Sequence, residues 1–515
     1  MSETLLFSGD RSCKRSECEV RASRAASGLR DFGVRRGDRV ALLLRNDFAF
    51  FEGTRAATLL GASPVAINWH LAPPEVEYVL KDSGAKVLIA HSDLLQLLGD
   101  IIPPGLLVLK VETPPELSAA YGQPASSKHS AINSESWDHF IESHPPLDNP
   151  CRDFTDTMTY TSGTTGKPKG VFRQPQNPEL AAKFLGVRDM IYGIKPGIRA
   201  LICGPLYHGA PNSFGTRTYA VADKVFLMPR FDAEGFLAMV EQERITTVFM
   251  VPTMFARLLK LPDAVRSRYD VSSLEFVVTA AAHCPPDVKT AMQDWFGPVV
   301  HEFYAGTEQN YVTYCTPEDA LRKPGTVGRA LGGVTLRIVD QDRKDMPLGT
   351  PGEIVSRLEM APEFTYANND LARRELDVDG LIATGDIGYL DEDGYLFLCD
   401  RAKDMVISGG VNIYPAEIEA VLHAMPGVAD CAVFGVPDPE YGEALMAIVQ
   451  PENNANLTTE QVTAYLKERL AGFKVPRRIE FRSDLPRNDS GKIYKRKLRD
   501  PYWETVSQAG TRAAS

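Results

Sequence analysis

The segment Tyr160-Thr-Ser-Gly-Thr-Thr-Gly-Lys-Pro-Lys-Gly-Val171 concentrates glycine, hydroxyl and lysine side chains in one short run. Glycine permits left-handed turns and close approach of the backbone, so several N–H groups can point into one concavity and bind an anion. The hydroxyl groups and the ammonium groups of Lys167 and Lys169 add further donors. The residue types therefore predict a loop that binds a polyphosphate. A solvated linker is the alternative, and the two lysines on either side of Pro168 disfavour it.

The same segment is not a phosphate-binding loop of the Walker type. That motif reads Gly-x-x-x-x-Gly-Lys-Ser/Thr, whereas here Thr161 takes the place of the first glycine and Pro168 follows Lys167. The proline also keeps Lys167 out of a helix interior. We therefore predict a mobile loop rather than a strand–loop–helix cradle.

The length and charge of the chain limit its class. A chain of 515 residues is longer than one ordinary domain, which predicts two or more domains. Its 44% hydrophobic and 24% charged residues are typical of a soluble globular protein. The net charge of −11 argues against a nucleic-acid partner held by a basic surface. Positive charge for anionic ligands must be local, as at Lys167, Lys169 and Lys492.

The eight cysteines form no Cys-x-x-Cys pair and no His–Cys cluster with zinc spacing. Residues 1–20 are charged and lack an apolar core, so we expect no signal peptide, reduced thiols and a cytoplasmic location. No apolar run approaches the ~18–20 residues of a membrane-spanning helix, so we expect no membrane span.

Short apolar runs alternate with helical patterns in the N-terminal part of the chain. Strands are predicted at residues 40–44, 64–67 and 87–90, and helices at 16–29, 73–81 and 48–60, the last capped by Gly61. This alternation predicts βαβ units and a largely parallel sheet. Residues 112–150 are rich in Ser, Pro and polar side chains, and we interpret them as a surface excursion within the same domain.

The glycine-rich segment resembles the phosphate-binding signature of the adenylate-forming superfamily, which includes acyl-CoA synthetases, luciferases and peptide-synthetase adenylation domains. The resemblance implies that Thr164 also takes part in catalysis and in a Mg²⁺ site. The residues that it implies in ATP binding are Thr161, Ser162, Gly163, Thr164, Thr165, Gly166, Lys167 and Lys169. One motif remains a hypothesis until further motifs follow in the expected order.

A second candidate is His208, in the segment Gly204-Pro-Leu-Tyr-His208-Gly-Ala-Pro211 after an apolar run at residues 200–203. An imidazole just past a strand end lies where α/β folds place ligand sites. A lone histidine is more often structural. Here the segment resembles the next family motif, which implies that His208 orients the carboxylate and shapes the acyl pocket. We assign it no proton-transfer role.

The run at residues 276–278 leads to three alanines, Ala280, Ala281 and Ala282. In the superfamily the corresponding backbone contacts adenine, and these small side chains would admit a flat ring. Ordinary helix packing is the alternative.

A further strand, at residues 299–303, runs into Tyr304-Ala-Gly-Thr-Glu308. A carboxylate beside a hydroxyl suits Mg²⁺, whereas an exposed glutamate in a turn is the alternative. The run resembles the Tyr-Gly-x-Thr-Glu element of the superfamily, with alanine at 305. The resemblance makes Glu308 a catalytic residue and metal ligand, and Gln309 and Asn310 stand where many relatives have small residues. The implied ATP contacts are Tyr304, Ala305, Gly306 and Thr307.

Asp386, in Ala383-Thr-Gly-Asp386, is the candidate for ribose binding, since a carboxylate can accept both ribose hydroxyls. The charged run Asp400-Arg-Ala-Lys-Asp404 would ordinarily be a surface salt-bridge cluster. The resemblance instead implies a hinge, with Arg401 reaching ribose or phosphate and Lys403 at the pivot.

The C-terminal piece reads as a compact α/β unit, with strands at 429–436 and 446–449 and a threonine-capped helix at 458–470. In relatives the glycine pair Gly409 and Gly410 meets the pantetheine thiol of coenzyme A. Lys492 follows Ser-Gly in a loop, which alone would indicate a solvated charge. By resemblance it is the adenylation lysine, whose charge would stabilise the reaction as pyrophosphate leaves.

The resemblance spans residues 33–498 with its motifs in order, and it implies the fold class and domains. We predict an α/β protein with a large, multi-sheet N-terminal adenylation domain (1–400) and a small mobile α/β domain (401–515), with a hinge near 400–404.

The predicted activity is that of an acyl-CoA synthetase, using ATP, Mg²⁺ and coenzyme A to convert a carboxylic acid to acyl-AMP and then to acyl-CoA. A roomy pocket without an evident charged anchor suggests a bulky hydrophobic acid, of medium or long-chain, aryl or steroid type. One alternative is transfer to an amine or carrier protein; another is a non-catalytic nucleotide-binding protein. Assembly into a homo-oligomer is compatible with the sequence, which does not determine the oligomeric state.

Overall fold

A computed structural model describes residues 3–122, 132–161, 168–282, 284–401, 404–408, 411–438, 441–452, 455–487 and 493–503. Within these ranges the strands form three sheets, of 14, eight and five strands. The first two sheets belong to the larger, N-terminal part of the chain, and the third to the smaller C-terminal part. The predicted α/β class with a large N-terminal and a small C-terminal unit is confirmed.

The elements up to residue 173 are β1 (Leu5–Ser8), β2 (Arg11–Lys14), α1 (Arg15–Phe32), β3 (Arg39–Leu43), α2 (Phe48–Leu59), β4 (Ser63–Ala66), α3 (Pro73–Ser83), β5 (Val87–His91), α4 (Ser92–Leu98), β6 (Leu107–Val111), α5 (Pro115–Ala120), β7 (Glu135–Ser136), α6 (Trp137–Glu142), β8 (Met158–Thr161) and β9 (Lys169–Arg173). Those up to residue 330 are α7 (Pro178–Tyr192), β10 (Arg199–Ile202), α8 (Gly209–Val221), β11 (Lys224–Leu227), α9 (Ala233–Glu243), β12 (Thr247–Met250), α10 (Pro252–Leu259), α11 (Asp263–Arg266), β13 (Phe276–Thr279), α12 (Pro286–Phe296), β14 (Val300–Gly306), β15 (Asn310–Cys315), α13 (Pro317–Arg322) and β16 (Thr326–Ala330).

The remaining elements of the larger part are β17 (Val334–Val339), β18 (Gly352–Leu358), β19 (Phe364–Tyr366), α14 (Asp370–Glu375), β20 (Asp377–Val378), β21 (Leu381–Leu390) and β22 (Tyr395–Arg401). The smaller part contains β23 (Val406–Ser408), β24 (Val411–Ile413), α15 (Pro415–His423), β25 (Val428–Asp438), β26 (Gly442–Pro451), α16 (Thr459–Lys467) and β27 (Arg478–Phe481). Short 3₁₀ turns occur at Gly99–Ile101 and Gly472–Lys474.

The 14-stranded sheet has the order β17-β18-β21-β22-β16-β15-β14-β13-β12-β10-β11-β1-β2, with β20 beside β21. It is parallel from β14 to β1 and antiparallel elsewhere. The eight-stranded sheet has the order β19-β9-β8-β4-β3-β5-β6-β7 and is parallel from β8 to β7. The βαβ prediction therefore holds for the centre of both sheets, and the antiparallel strands were not foreseen.

The apolar runs of β3, β4 and β5 are continuous because helices cover these strands, so residues on both strand faces are buried. One apolar cluster contains residues of both larger sheets, including Leu42 and Ile89 of one sheet and Phe226 and Phe249 of the other. Gly61 follows α2 in the left-handed conformation at φ +67°, as expected of a capping glycine, and the helix ends at Leu59, one residue before the predicted end.

Residues 112–150 were interpreted as a polar surface excursion, and this is only partly right. The segment contains α5, β7 and α6, and β7 extends the eight-stranded sheet. Trp137 is 2% exposed, and its indole N–H donates to Glu52 Oε2 at 2.8 Å. Local composition hid this anchor because one buried aromatic residue is enough to hold a polar segment against the core.

The small C-terminal sheet has the order β24-β23-β26-β25, with β27 beside β26, and α15 and α16 cover it. It has its own apolar core, which includes Ile418, Val433, Val449 and Leu466. The predicted threonine cap is present, since Thr458 Oγ1 accepts from the backbone N–H of Gln461. In the part of the chain that is described, no helix is long and apolar enough to cross a membrane.

Candidate functional site

Three of the predicted motifs meet at one edge of the largest sheet. β10, β12, β13 and β14 are parallel neighbours, so their carboxyl ends face the same way. The chain leaves β10 toward His208, leaves β13 into residues 280–282 and leaves β14 into the turn that carries Glu308. This is the edge at which open α/β sheets bind ligands.

His208 is the residue that precedes the first turn of α8, and it is partly exposed. Its ring lies 4.3 Å from the ring of Tyr207, measured between centroids. Buried Asn46 anchors the chain just before it: Asn46 Oδ1 accepts from Leu206 N at 2.9 Å, and Nδ2 donates to Gly204 O at 3.0 Å. Sequence reasoning missed Asn46, and its place just after an apolar strand was the only available signal.

The three alanines turn the chain sharply where β13 ends. Ala280 is buried, whereas Ala281 and Ala282 are exposed at the site edge. Ala281 has φ +73°, in the left-handed region that L-residues disfavour by about 1–2 kcal/mol. Backbone strain of this kind persists only where the surrounding structure imposes it, and it is common at ligand sites. Contact with adenine stays a prediction.

Tyr304, Asp386 and Arg401, each predicted separately to contact the nucleotide, lie together in the structure. The Tyr304 hydroxyl donates to Asp386 Oδ2 at 2.7 Å, and Arg401 Nε lies 3.2 Å from Asp386 Oδ1. Burial first, and then the charge of Asp386, raise the pKa of Tyr304, so the phenol remains a donor. Asp386 and Arg401 face each other on β21 and β22, and the register of this antiparallel pair fixes their contact.

Gln309, which the sequence marked only as an unusually large residue, is a buried link in this network. Its Oε1 accepts from Thr384 Oγ1 at 3.1 Å and lies 3.3 Å from Tyr304 Oη. Its Nε2 donates to Ile382 O at 2.9 Å. The amide therefore ties β21, which carries Asp386, to the turn after β14.

Glu308 lies in that turn and is half-buried. Tyr366, which was not predicted, donates its hydroxyl to Glu308 Oε1 at 2.8 Å. The Nζ atom of Lys169 is 5.1 Å from the Tyr366 ring centroid. A cation of the glycine-rich segment and the candidate metal ligand therefore contact the same phenol.

Arg173, also missed, attaches the same turn to β9. Its Nη2 donates to Thr307 O at 2.7 Å, and its Nη1 lies 3.5 Å from Asp156 Oδ2. Arg188 shares that carboxylate oxygen at 3.1 Å. The backbone beside Glu308 is thus fixed to the strand that follows the glycine-rich segment.

The donor chemistry at Glu308 fits a hard cation. Mg²⁺ takes oxygen ligands and is commonly bound by one or two carboxylates together with substrate phosphates. Within the described ranges, Glu308 forms no salt bridge with a lysine or arginine. The second expected ligand, Thr164, lies outside the described residues.

Several predicted residues lie outside the described ranges: Ser162, Gly163, Thr164, Thr165, Gly166, Lys167, Lys403, Gly409, Gly410 and Lys492. For Thr161 only the backbone is described. The flanks of the glycine-rich segment are antiparallel strands, with Thr161 opposite Lys169. No helix follows the segment directly, as expected, whereas the second strand was not predicted. Arg487 and Ile493, the described residues on either side of residues 488–492, form an antiparallel β-bridge.

Lys495 anchors the chain just beyond Lys492. Its Nζ lies 2.8 Å from Glu419 Oε1 in α15. Burial acts to lower the pKa of Lys495, but Glu419 and Asp400 raise it on balance, so the ammonium form is stable. Asp400 also accepts from Ala416 N at 2.8 Å, which connects the predicted hinge to the start of α15. Hinge motion stays a prediction.

Comparison with protein-family models finds two matches that together span most of the chain. A model described as AMP-binding enzyme matches residues 3–360, and one described as AMP-binding enzyme C-terminal domain matches residues 417–492.

Individual proteins match along nearly their whole length. A feruloyl-CoA synthase of an Amycolatopsis species is 35% identical over 495 residues, 94% of this chain and 93% of the relative. The long-chain-fatty-acid–CoA ligase FadD13 of Mycobacterium tuberculosis is 34% identical over 489 residues, 94% and 92% of the two chains. The structure of the amide bond synthetase McbA of Marinactinospora thermotolerans superposes with a TM-score of 0.82 at 26% identity, covering 98% of this chain and 97% of that one.

Proposed function

We infer the function from one premise: this chain belongs to the AMP-binding enzyme family, the adenylate-forming superfamily that the motifs resembled, and is an AMP-forming acid–thiol ligase. We propose that it activates a carboxylic acid with ATP as acyl-AMP and pyrophosphate, and then transfers the acyl group to coenzyme A with release of AMP. The observation that carries this proposal is the cluster of Tyr304, Asp386 and Arg401 at the same sheet edge as Glu308.

In the first half-reaction the predicted residues divide the nucleotide between them. Asp386, oriented by Tyr304, would accept the ribose hydroxyls, and Arg401 would contact the ribose or a phosphate. Glu308 and Thr164 would hold Mg²⁺, which supplies charge neutralisation at the phosphates when bound. Lys492 would place its ammonium group on the carboxylate and α-phosphate, where one such donor is typically worth ~3–4 kcal/mol.

In the second half-reaction the small C-terminal unit would rotate about Lys403. Gly409 and Gly410 would then lie beside the thiol of coenzyme A, and glycine allows close approach there because it has no side chain. AMP is a better leaving group than hydroxide, so the thiol can displace it directly. A closed site would also keep water from the adenylate.

The acid that we propose is a monocarboxylate with a bulky hydrophobic or aromatic body. The helix after His208 packs against aromatic side chains: Ser213 Oγ is 2.7 Å from Tyr311 Oη, and Tyr192 Oη donates to Ala210 O at 3.2 Å. Arg188 near this wall is paired with Asp156, which leaves it unsuited to bind a second carboxylate. The names of two relatives, which specify ferulate and long-chain fatty acids, agree with this class.

The test is release of AMP and pyrophosphate with a panel of hydrophobic acids, with and without coenzyme A, in the wild type and in Lys492→Ala. We expect acid- and CoA-dependent AMP release that falls 10²-fold or more in the variant. Pyrophosphate release that CoA does not accelerate would favour an amine or carrier-protein acceptor, a second candidate supported by the similarity to an amide bond synthetase. Absence of ATP turnover with every acid would leave a nucleotide-binding protein.

A further inference from the structure

Tyr366 is held against the glycine-rich segment by its backbone. β19 is the edge strand beside β9, and Tyr366 lies opposite Val171, at the end of the segment that binds phosphate in our proposal. The next residue, Ala367, donates its N–H to Gly170 O at 2.9 Å. The position of Tyr366 is therefore coupled to the place where the chain leaves the phosphate loop.

The side chain of Tyr366 extends from this anchor to Glu308, which lies on the other large sheet. The phenol is 5% exposed, and its hydroxyl donates to Glu308 Oε1 at 2.8 Å. A phenol keeps its proton at neutral pH, so the hydroxyl is the donor and the carboxylate the acceptor. A hydrogen bond from a neutral donor to a carboxylate is stronger than one between neutral groups, and it fixes the carboxylate orientation.

The face of the same ring lies 5.1 Å from the ammonium group of Lys169. A cation at this distance is attracted by the ring quadrupole, and the attraction grows when the pair is shielded from water. One side chain therefore contacts both a candidate phosphate ligand and the candidate metal ligand.

We propose that Tyr366 is a positioning residue for the Mg²⁺–triphosphate end of the site. Its hydroxyl orients the Glu308 carboxylate, and its ring holds Lys169 at a fixed distance from that carboxylate. This inference rests on the proposed function, because it assumes that Glu308 faces the metal-bound nucleotide. It adds a residue that acts through two others and does not itself contact the reacting atoms.

The variant Tyr366→Phe removes the hydroxyl and keeps the ring. We expect the Mg²⁺ concentration for half-maximal pyrophosphate release to rise about tenfold, since Glu308 loses the donor that orients its carboxylate. Rates at saturating Mg²⁺ should fall less. Without turnover, the rise in melting temperature caused by ATP with Mg²⁺ should shrink, while the rise caused by ATP in EDTA should not change.

Tyr219→Phe is the matched control. Tyr219 is also a buried tyrosine that donates to a glutamate, Glu19 Oε1, at 2.9 Å. Its ring stacks on Phe51, and it forms no hydrogen bond with a described residue of the site. It should lower stability by a similar amount and leave the Mg²⁺ dependence unchanged. Equal Mg²⁺ dependence in the wild type and in Tyr366→Phe would overturn the proposal.

A double-mutant cycle with Glu308→Gln tests whether Tyr366 acts through Glu308. If Tyr366 acts through Glu308, adding Tyr366→Phe to Glu308→Gln should change the Mg²⁺ dependence by less than twofold. A full tenfold effect in that background would refute the assigned role.

If Tyr366→Phe does not fold, Lys169→Met, which removes the second contact of the ring, should weaken the thermal shift by ATP with Mg²⁺, and an unchanged shift would overturn the proposal. If the wild type releases no pyrophosphate, the proposed function fails, and the thermal shifts still decide the role of Tyr366.

Discussion

Replacing Asn46 by alanine should disturb the segment that carries His208 without touching it directly. Asn46 is 5% exposed, and its amide group makes two hydrogen bonds to the chain between Gly204 and Leu206 and a longer one, 3.3 Å, to Met228 O. Asn46→Ala leaves the N–H of Leu206 and the C=O of Gly204 buried without this partner. Each unsatisfied group costs ~1–3 kcal/mol, so the variant should lose about 2–5 kcal/mol of stability.

The effect on catalysis should be specific to the acid. His208 lies two residues after Leu206, whose backbone Asn46 holds in place. A displacement of about 1 Å at a positioning group can reduce a rate by about 10²-fold. We expect kcat/KM for the acid to fall at least tenfold at a temperature where the variant is folded. The KM for ATP should change less than twofold, because the ribose cluster lies on β14, β21 and β22.

The assay combines urea unfolding with steady-state kinetics in both substrates. Gln293→Ala is the control, since it removes another buried amide, which donates to Pro317 O from α12 and does not contact the His208 segment. The control should lower stability and leave the KM for the acid unchanged. If Asn46→Ala unfolds at lower urea yet keeps wild-type kinetics with the acid, Asn46 stabilises the fold without positioning the site.

Two further predictions concern stability. Burial acts to raise the pKa of Asp47, but His91 and Arg11 outweigh it and lower that pKa to about 2. The ionised carboxylate therefore contributes about 2–3 kcal/mol of stability above pH 4, and this contribution is lost as the pH falls toward 2. Urea unfolding across this range should show the difference in stability between the wild type and Asp47→Asn closing, and a constant difference would contradict the assignment. Ala281→Gly should raise stability by about 0.5–1 kcal/mol because glycine tolerates φ +73°. Ala282→Gly, at a residue without positive φ, should lower stability. Thermal melts that rank the two variants the other way would show that the backbone at Ala281 is not strained.

The fold could be predicted where local pattern and burial agree. The continuous apolar runs of β3 and β5 identify strands because both of their faces are covered, and Pro73 and Pro415 mark helix starts because proline fits the first turn. Part of the antiparallel half of the large sheet escaped prediction because two of its pairs, β16 with β22 and β18 with β21, join strands that are far apart in the chain. β16 next to β22 is an example, since Thr326 faces Phe397.

In the candidate site, the residues that would contact ligands could be predicted from the sequence, whereas the residues that hold them in place could not. Asp386 and Glu308 could be predicted as ligand-binding residues because a ligand restricts the chemistry of the groups that touch it, and few residue types can bind ribose hydroxyls or Mg²⁺. The residues that hold them are less restricted, because any donor of suitable length can satisfy a buried carboxylate. Tyr366 lies 58 residues from Glu308, and nothing near either position in the chain indicates their contact.

Gln309 shows how such a supporting residue can be mistaken for a departure. In the sequence it is a large side chain where small ones are usual, which suggests a narrower pocket. In the structure its amide lies within the protein and joins Tyr304, Thr384 and Ile382 O, so its bulk fills the space between β14 and β21. A small residue there would leave the Thr384 hydroxyl and Ile382 carbonyl without this partner. The size of Gln309 is therefore explained by its contacts with the residues that hold Asp386 in place. It carries no information about the carboxylic acid substrate.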